Sequence, residues 1–202
     1  MFDARIRPII DPPLNRVGAR VAQAGIGANA VTLAGLGLGL LAAVCIAVEA
    51  YLIALLPLLA SRFADGLDGA VARASRKTDF GGYLDIVADF AFYGAIPLAF
   101  AAADPATNAV AAAFLLASFY VNGTSFLGFA ILAEKHGIET DAQGEKSLFY
   151  SNGLLEGFET IAFFVLICLL PMYFAPLAWI FGALCLATAA LRVRTAHHLF
   201  HS

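Results

Sequence analysis

The sequence predicts an all-α integral membrane protein, six transmembrane helices preceded by a short amphipathic surface helix, and three observations predict it. Of its 202 residues 61% are hydrophobic and 13% charged, where a soluble domain carries about 45–50% apolar and roughly a quarter charged residues. The apolar residues form long runs; at ~20 residues per crossing the chain holds about six spans, with no length left for a sizeable soluble domain. Lysine and arginine are confined to a few segments, as in a chain whose loops are sorted between two sides of a bilayer. The net charge of −3 offers no basic field to DNA or RNA, so no nucleic-acid partner is expected.

Residues 1–27 make a juxtamembrane segment with four arginines, two aspartates and three prolines. Val17, Val21 and Ala24 fall on one helical face and Arg16 and Arg20 on another, as in a helix lying on a membrane surface. No apolar stretch here ends in a small-residue cleavage site, so no cleaved signal peptide is expected. Residues 28–196 hold the spans. Between Asn29 and Ala60 the only charge is Glu49, and this stretch is too long for one crossing, so it divides into two spans with a hairpin near Glu49 and Ala50. The second span runs to about Arg73, and residues 74–80 form a short polar connection. Residues 82–102 are the third span, broken by Asp104-Pro105, and residues 108–133 the fourth. Residues 134–147 are the longest polar loop. Residues 152–170 and 176–191 complete the set, divided by a turn from Pro171 to Pro176, and residues 197–202 read as a cytoplasmic tail.

With this layout all twelve Lys and Arg fall on one side of the bilayer or just beneath it, and the other side receives only Glu49 and Asp104. Positive loop residues stay in the cytoplasm, so both termini and the chemistry near the cationic side are expected there. Gly35, Gly37 and Gly39 in the first span, with their embedded G-x-x-x-G, read as close helix packing. Cys45, Cys168 and Cys185 lie in apolar runs without the spacing of a zinc site or a redox pair.

Four intramembrane aspartates break the apolar pattern. Each costs ~2.5–3.5 kcal/mol at a helix centre on insertion scales, so such residues are functional candidates by default. Asp65 and Asp68 are three apart near the end of the second span; Asp85 and Asp89 are four apart near the start of the third. Either spacing puts both carboxylates on one helix face. Asp65 and Asp89 each lie eight residues from the connecting loop, roughly 12 Å at 1.5 Å per residue, and Asp68 and Asp85 match at five and four. An antiparallel hairpin therefore gathers all four at one depth, where like charges in low dielectric need protons or cations to neutralise them. Oxygen-only donors suit Mg²⁺, Mn²⁺ or Ca²⁺, and two divalent ions balance four carboxylates. Such a pair can clamp a phosphoryl group during in-line displacement. Gly66, Gly69, Gly81 and Gly82 clear side chains from around the aspartates, and Arg73 and Arg62 are placed to meet phosphate oxygens.

The run Asp65-x2-Asp68-Gly69-x2-Ala72-Arg73, a loop, then Gly81-x3-Asp85-x3-Asp89 closely resembles the signature of the CDP-alcohol phosphotransferase family. Eight positions over 25 residues carry the resemblance, and the six-span layout extends it over most of the chain. Ala28-Asn29-x2-Thr32 resembles the family's P-N-x-x-T with alanine for proline, and the loop from Arg73 to Gly81 is one residue shorter than usual. The resemblance implies that an alcohol attacks the β-phosphate of a CDP-linked lipid, usually CDP-diacylglycerol, releasing CMP in phospholipid biosynthesis. It implies two divalent cations, Mg²⁺ or Mn²⁺, on Asp65, Asp68, Asp85 and Asp89, with Asp89 also the general base. Asn29, Thr32, Gly69, Ala72, Arg73 and Gly81 would contact the CDP moiety. The partners implied are the CDP-lipid donor, a small polar alcohol and the bilayer, with a homodimer left open.

Other readings compete. A cation or proton transporter also gathers acids at matched depth but leaves Gly69, Ala72, Arg73 and Gly81 unexplained. An intramembrane prenyltransferase needs more spans, and a structural scaffold has no use for four buried acids. For the acceptor, Lys135 and Lys146 favour a phosphorylated alcohol such as glycerol 3-phosphate. Glu156 and Glu159 would suit an unphosphorylated one such as serine or inositol if they face the cavity, and otherwise read as hydrated residues at a helix N-terminus. Asn122, Thr124 and Ser125 in the fourth span either line the pocket or, the favoured reading, hydrogen-bond between helices.

Overall fold

The computed structural model describes residues 3–137, 155 and 157–200 and is helical throughout, with no strand among these residues. Among the described residues seven α-helices run in order: α1 (Asp3–Gln23), α2 (Ala28–Ala47), α3 (Tyr51–Ala74), α4 (Asp79–Ala103), α5 (Pro105–Lys135), α6 (Gly157–Leu169) and α7 (Phe174–Phe200). Local chemistry sets the breaks. The α2–α3 hairpin turns at Glu49, whose φ of 63° is left-handed. Thr78 caps α4, its hydroxyl accepting from Gly81 N at 3.0 Å, and Asp104 caps α5 by accepting from Thr107 N at 3.1 Å, both satisfying donors a helix start leaves open. A 3₁₀ turn, Pro171–Tyr173, leads into α7, which continues through the segment expected as a tail as far as Phe200.

Helices α2, α4, α5 and α7, the last counted with the preceding 3₁₀ turn, are long and apolar enough to cross a membrane. Helix α3 has the length, at 24 residues, but carries Arg62, Asp65 and Asp68 along its middle, and α6 is described over 13 residues. The outward faces are apolar: Leu41, Val44, Leu52, Leu56, Val110 and Ile180 are all largely exposed. Such a continuous apolar surface would be an aggregation hazard in water and is ordinary in lipid.

Helix α2 packs along α3 and α4, α4 against α5, and α5 along α7. Gly35 and Gly39 make the first contact close: a Cβ at Gly35 would lie 3.1 Å from Ala64 Cβ, and one at Gly39 2.6 Å from the Phe92 ring, whereas Gly37 faces open space. The G-x-x-x-G pair is thus a packing device and Gly37 is outside it. The core is aromatic. Phe92, Phe100, Phe164 and Phe174 are fully buried, with Phe100 stacked on Phe174 at 4.4 Å and Phe92 edge-on to Phe164 at 5.7 Å between centroids. This plug begins at Phe92, one turn beyond Asp89, and so closes the floor beneath the aspartates.

Helix α1 packs on α3 through Leu14 and Gly18, both buried, while Val21 is half-buried and Val17 and, just past the helix, Ala24 are exposed. A Cβ at Gly18 would meet Ala70 at 2.7 Å, and one at Gly66 would meet Leu14 at 3.0 Å. The small residues of α3 select this face, because Gly66 and Ala70 leave a groove into which Leu14 and the bare Gly18 backbone settle.

Candidate active site

The aspartates come from α3 and α4, and the structure brings them together. Asp65 lies within electrostatic range of Asp89 and Asp85, and Asp85 in turn of Asp68 and Asp89. Two partners order the cluster. On one flank the Thr32 hydroxyl of α2 donates to Asp68 Oδ2 at 2.5 Å, with both residues buried. On the other, Arg62 Nη1 donates to Asp89 Oδ1 at 2.8 Å and lies 3.4 Å from Asp65 Oδ1, so one guanidinium bridges α3 to α4. Its Nη2 donates to Ser61 Oγ at 3.1 Å, and its Cζ sits 3.8 Å above the Phe92 ring. The side chain of Arg62 is 9% exposed, against 35% for Asp65 and 30% for Asp89. Asp65 and Asp89 are therefore partly open, with the cation packed behind them.

The remaining motif residues sit in the last turns of α3 and the start of α4. Gly81 sits beside Asn29, since a Cβ there would lie 3.1 Å from Asn29 Oδ1 and 3.0 Å from Thr78 Oγ1. The bare backbone of Gly81 thus lets the start of α4 close on the start of α2. A Cβ at Gly69 would lie 3.3 Å from Arg73 Nη1, so glycine leaves room for that guanidinium to fold back along α3. Arg73 is exposed and donates through Nε and Nη2 to Asn15 Oδ1 of α1 at 3.2 and 2.8 Å. Ala72 is half-buried in the last turn of α3.

Hard oxygen donors, with neither sulfur nor imidazole among them, are the right chemistry for Mg²⁺ or Mn²⁺. In the arrangement described, the positive charge among the carboxylates belongs to Arg62, and among the described residues no three acidic, histidine or cysteine side chains surround a common centre.

The acceptor candidates are more scattered. Lys135 is exposed in the last turn of α5. Lys146 and Glu156 lie outside the described residues. Glu159, in the first turn of α6, lines a groove of about 280 Å³ between α6 and α7 with Phe163, Leu177 and Phe181, and none of the four aspartates lines that groove.

Two groups escaped the sequence reading of the site. Arg192 of α7, read there only as a cation marking one side of the bilayer, donates through Nη1 to Asn122 Oδ1 at 2.9 Å and Ser125 Oγ at 2.7 Å. Asn122 and Ser125 therefore do bond between helices, while Thr124 bonds within its own helix, to Tyr120 O at 2.7 Å. Asn15 carried no signal at all, because its partner Arg73 is 58 residues away in sequence.

Comparison with known proteins agrees with this architecture. Residues 26–193 match the sequence profile described as CDP-alcohol phosphatidyltransferase. Over 193 residues the chain is 47% identical to the inner membrane protein YnjF of Escherichia coli, a match covering 96% of this chain and 94% of that one. Over 87 residues it is 39% identical to the archaetidylinositol phosphate synthase of Pyrococcus horikoshii, covering 43% of this chain and 46% of that protein. The profile runs from just before α2 into the last turns of α7 and takes in all eight motif positions. This chain belongs to the CDP-alcohol phosphatidyltransferase family of transferases.

Proposed function

We propose that the protein transfers a phosphatidyl group from a CDP-linked lipid, CDP-diacylglycerol first among candidates, to a phosphorylated small alcohol. The observation that carries this is the convergence of Asp65, Asp68, Asp85 and Asp89 from two helices of a family member, with Asp65 and Asp89 partly exposed. The acceptor hydroxyl oxygen attacks the β-phosphorus, the bond from that phosphorus to the bridging oxygen breaks, and CMP leaves. Asp89 takes the hydroxyl proton as general base. Arg73 pairs with diphosphate oxygens, Gly69 and Gly81 let the donor approach the backbone, and Asn29 and Ala72 border the cytidine side. Thr32 holds Asp68. Asp65, Asp68, Asp85 and Asp89 would hold two divalent cations, Mg²⁺ or Mn²⁺, which supply Lewis acidity at the phosphoryl oxygens.

In this reading six helices, α2 to α7, cross the bilayer with α1 at its surface, and the aspartates open to the cytoplasm. The cation bias of the loops supports that orientation. A phosphorylated acceptor is supported by Lys135 and Lys146 and by the Pyrococcus relative, whose name includes inositol phosphate. Glycerol 3-phosphate and inositol phosphate are the first acceptors to test, and serine and inositol the contrasting ones. Purified protein given CDP-diacylglycerol, Mg²⁺ and each acceptor in turn should release CMP and form a phosphodiester lipid with a phosphorylated acceptor. CMP release with serine or inositol alone would replace the acceptor, and none with any acceptor would remove the donor assignment.

A further inference from the structure

We propose that Arg62 is a resident counter-cation: it neutralises Asp65 and Asp89 in the metal-free protein and gives them up when divalent cations bind. This rests on the reading that the aspartates bind such cations. A guanidinium buried to 9% exposure is costly unless paired and fully hydrogen-bonded, and Arg62 meets that condition only in part. Nη1 is committed to Asp89 and Asp65 and Nη2 to Ser61, while Nε is buried with no hydrogen-bond partner. The group is held by the charge in front of it rather than by a completed donor set.

Charge balance points the same way. One guanidinium against four carboxylates leaves the cluster strongly negative, which keeps it attractive to further cations. Two divalent ions bring four positive charges, and a guanidinium still hydrogen-bonded to Asp89 is then a surplus cation beside them. Withdrawal needs no large movement. The Cζ lies 3.8 Å over Phe92 and 5.9 Å from the Tyr93 ring centroid, so the aromatic faces can retain the guanidinium by cation–π attraction while Nη1 leaves the carboxylate. Arg62 is in this account a positioning residue that sets when the carboxylates are free, and not a phosphate contact.

The test uses the full chain, purified in detergent and stripped of metal, with Mn²⁺ binding followed by electron paramagnetic resonance and thermal unfolding recorded with and without Mn²⁺. Arg62→Met keeps an apolar contact for Phe92 and removes the charge. It should bind Mn²⁺ at least about tenfold more tightly than wild type, the scale of one close charge contact, unfold at a lower temperature without metal and gain more from its addition. Arg62→Lys keeps a charge but lacks the fork that spans two carboxylates, so it should tighten Mn²⁺ binding by less; it decides the matter if Arg62→Met does not fold. Unchanged or weaker Mn²⁺ binding in the folded variants, with wild type binding, overturns the counter-cation role and leaves the metal reading standing. Absence of Mn²⁺ and Mg²⁺ binding in wild type and variants alike overturns both.

Discussion

The hydroxyl of Thr32 reaches across from α2 to donate a hydrogen bond to Asp68 Oδ2 at 2.5 Å. Thr32 had been expected on the CDP moiety, and its observed partner is a carboxylate that is only 5% exposed. A buried acceptor deprived of its donor costs about 1–3 kcal/mol, and roughly 1.4 kcal/mol is tenfold in rate. Thr32→Val should lower kcat/KM for CMP release by about ten- to a hundredfold and raise the Mg²⁺ concentration needed for half-maximal rate, whereas Thr32→Ser should stay near wild type. Equal activity of the valine and serine variants would remove Thr32 from the site.

Packing makes a sharper distinction within α2. A methyl group at Gly39 would press on the Phe92 ring and on Ser61 Oγ, at 2.6 and 3.0 Å, and one at Gly37 would meet nothing within 4 Å. Gly39→Ala should therefore cost about 1–3 kcal/mol through overpacking, while Gly37→Ala should be neutral or slightly stabilising through helix propensity. Thermal unfolding in detergent compares the two, and equal shifts would contradict the α2–α4 contact.

Sidedness can be read by cysteine labelling in a background lacking Cys45, Cys168 and Cys185. Cysteines at Lys77, Lys135 and Arg194 should react only from the cytoplasm and one at Asp104 only from the opposite side, as the cation bias requires. Reaction of Lys77 and Asp104 positions from one side would dismantle the six-span arrangement.

For the acceptor, replacing Lys135 and Lys146 together by glutamine should raise the KM for a phosphorylated alcohol at least about tenfold, the loss of charge-assisted contacts to phosphate, and leave the KM for the CDP-lipid nearly unchanged. An unmoved acceptor KM, with Glu156→Gln or Glu159→Gln raising it instead, would favour an unphosphorylated acceptor.

Much of this was legible in the sequence because it depends on spacing within one helix or across one short loop. The i,i+3 and i,i+4 aspartates and their matched depths place Asp65 opposite Asp89 with no knowledge of packing, and Arg62 between them bears this out. The same holds for the turn at Glu49 and the break at Asp104. What stayed hidden depends on which helices meet and at what rotation. Thr32 is 36 residues from Asp68, and the inward face of α1 is chosen by Gly66 and Ala70 of another helix. Arg62, read beside Arg73 as placed to meet phosphate oxygens, pairs with Asp89 of the next helix and lies over the face of Phe92, partners 27 and 30 residues on that spacing alone does not select.

The most direct test of the central claim, that the four aspartates perform divalent-metal-dependent transfer from a CDP-lipid, is CMP release from CDP-diacylglycerol by purified protein with acceptor present. Wild type should be silenced by chelator and restored by Mg²⁺ or Mn²⁺. Asp65→Ala, Asp68→Ala, Asp85→Ala and Asp89→Asn should each lose at least ~10²-fold in turnover, the scale of removing a general base or one element of electrostatic stabilisation. Near-normal turnover in any two of these variants while still folded in detergent, or restoration by Zn²⁺ alone, would contradict the account.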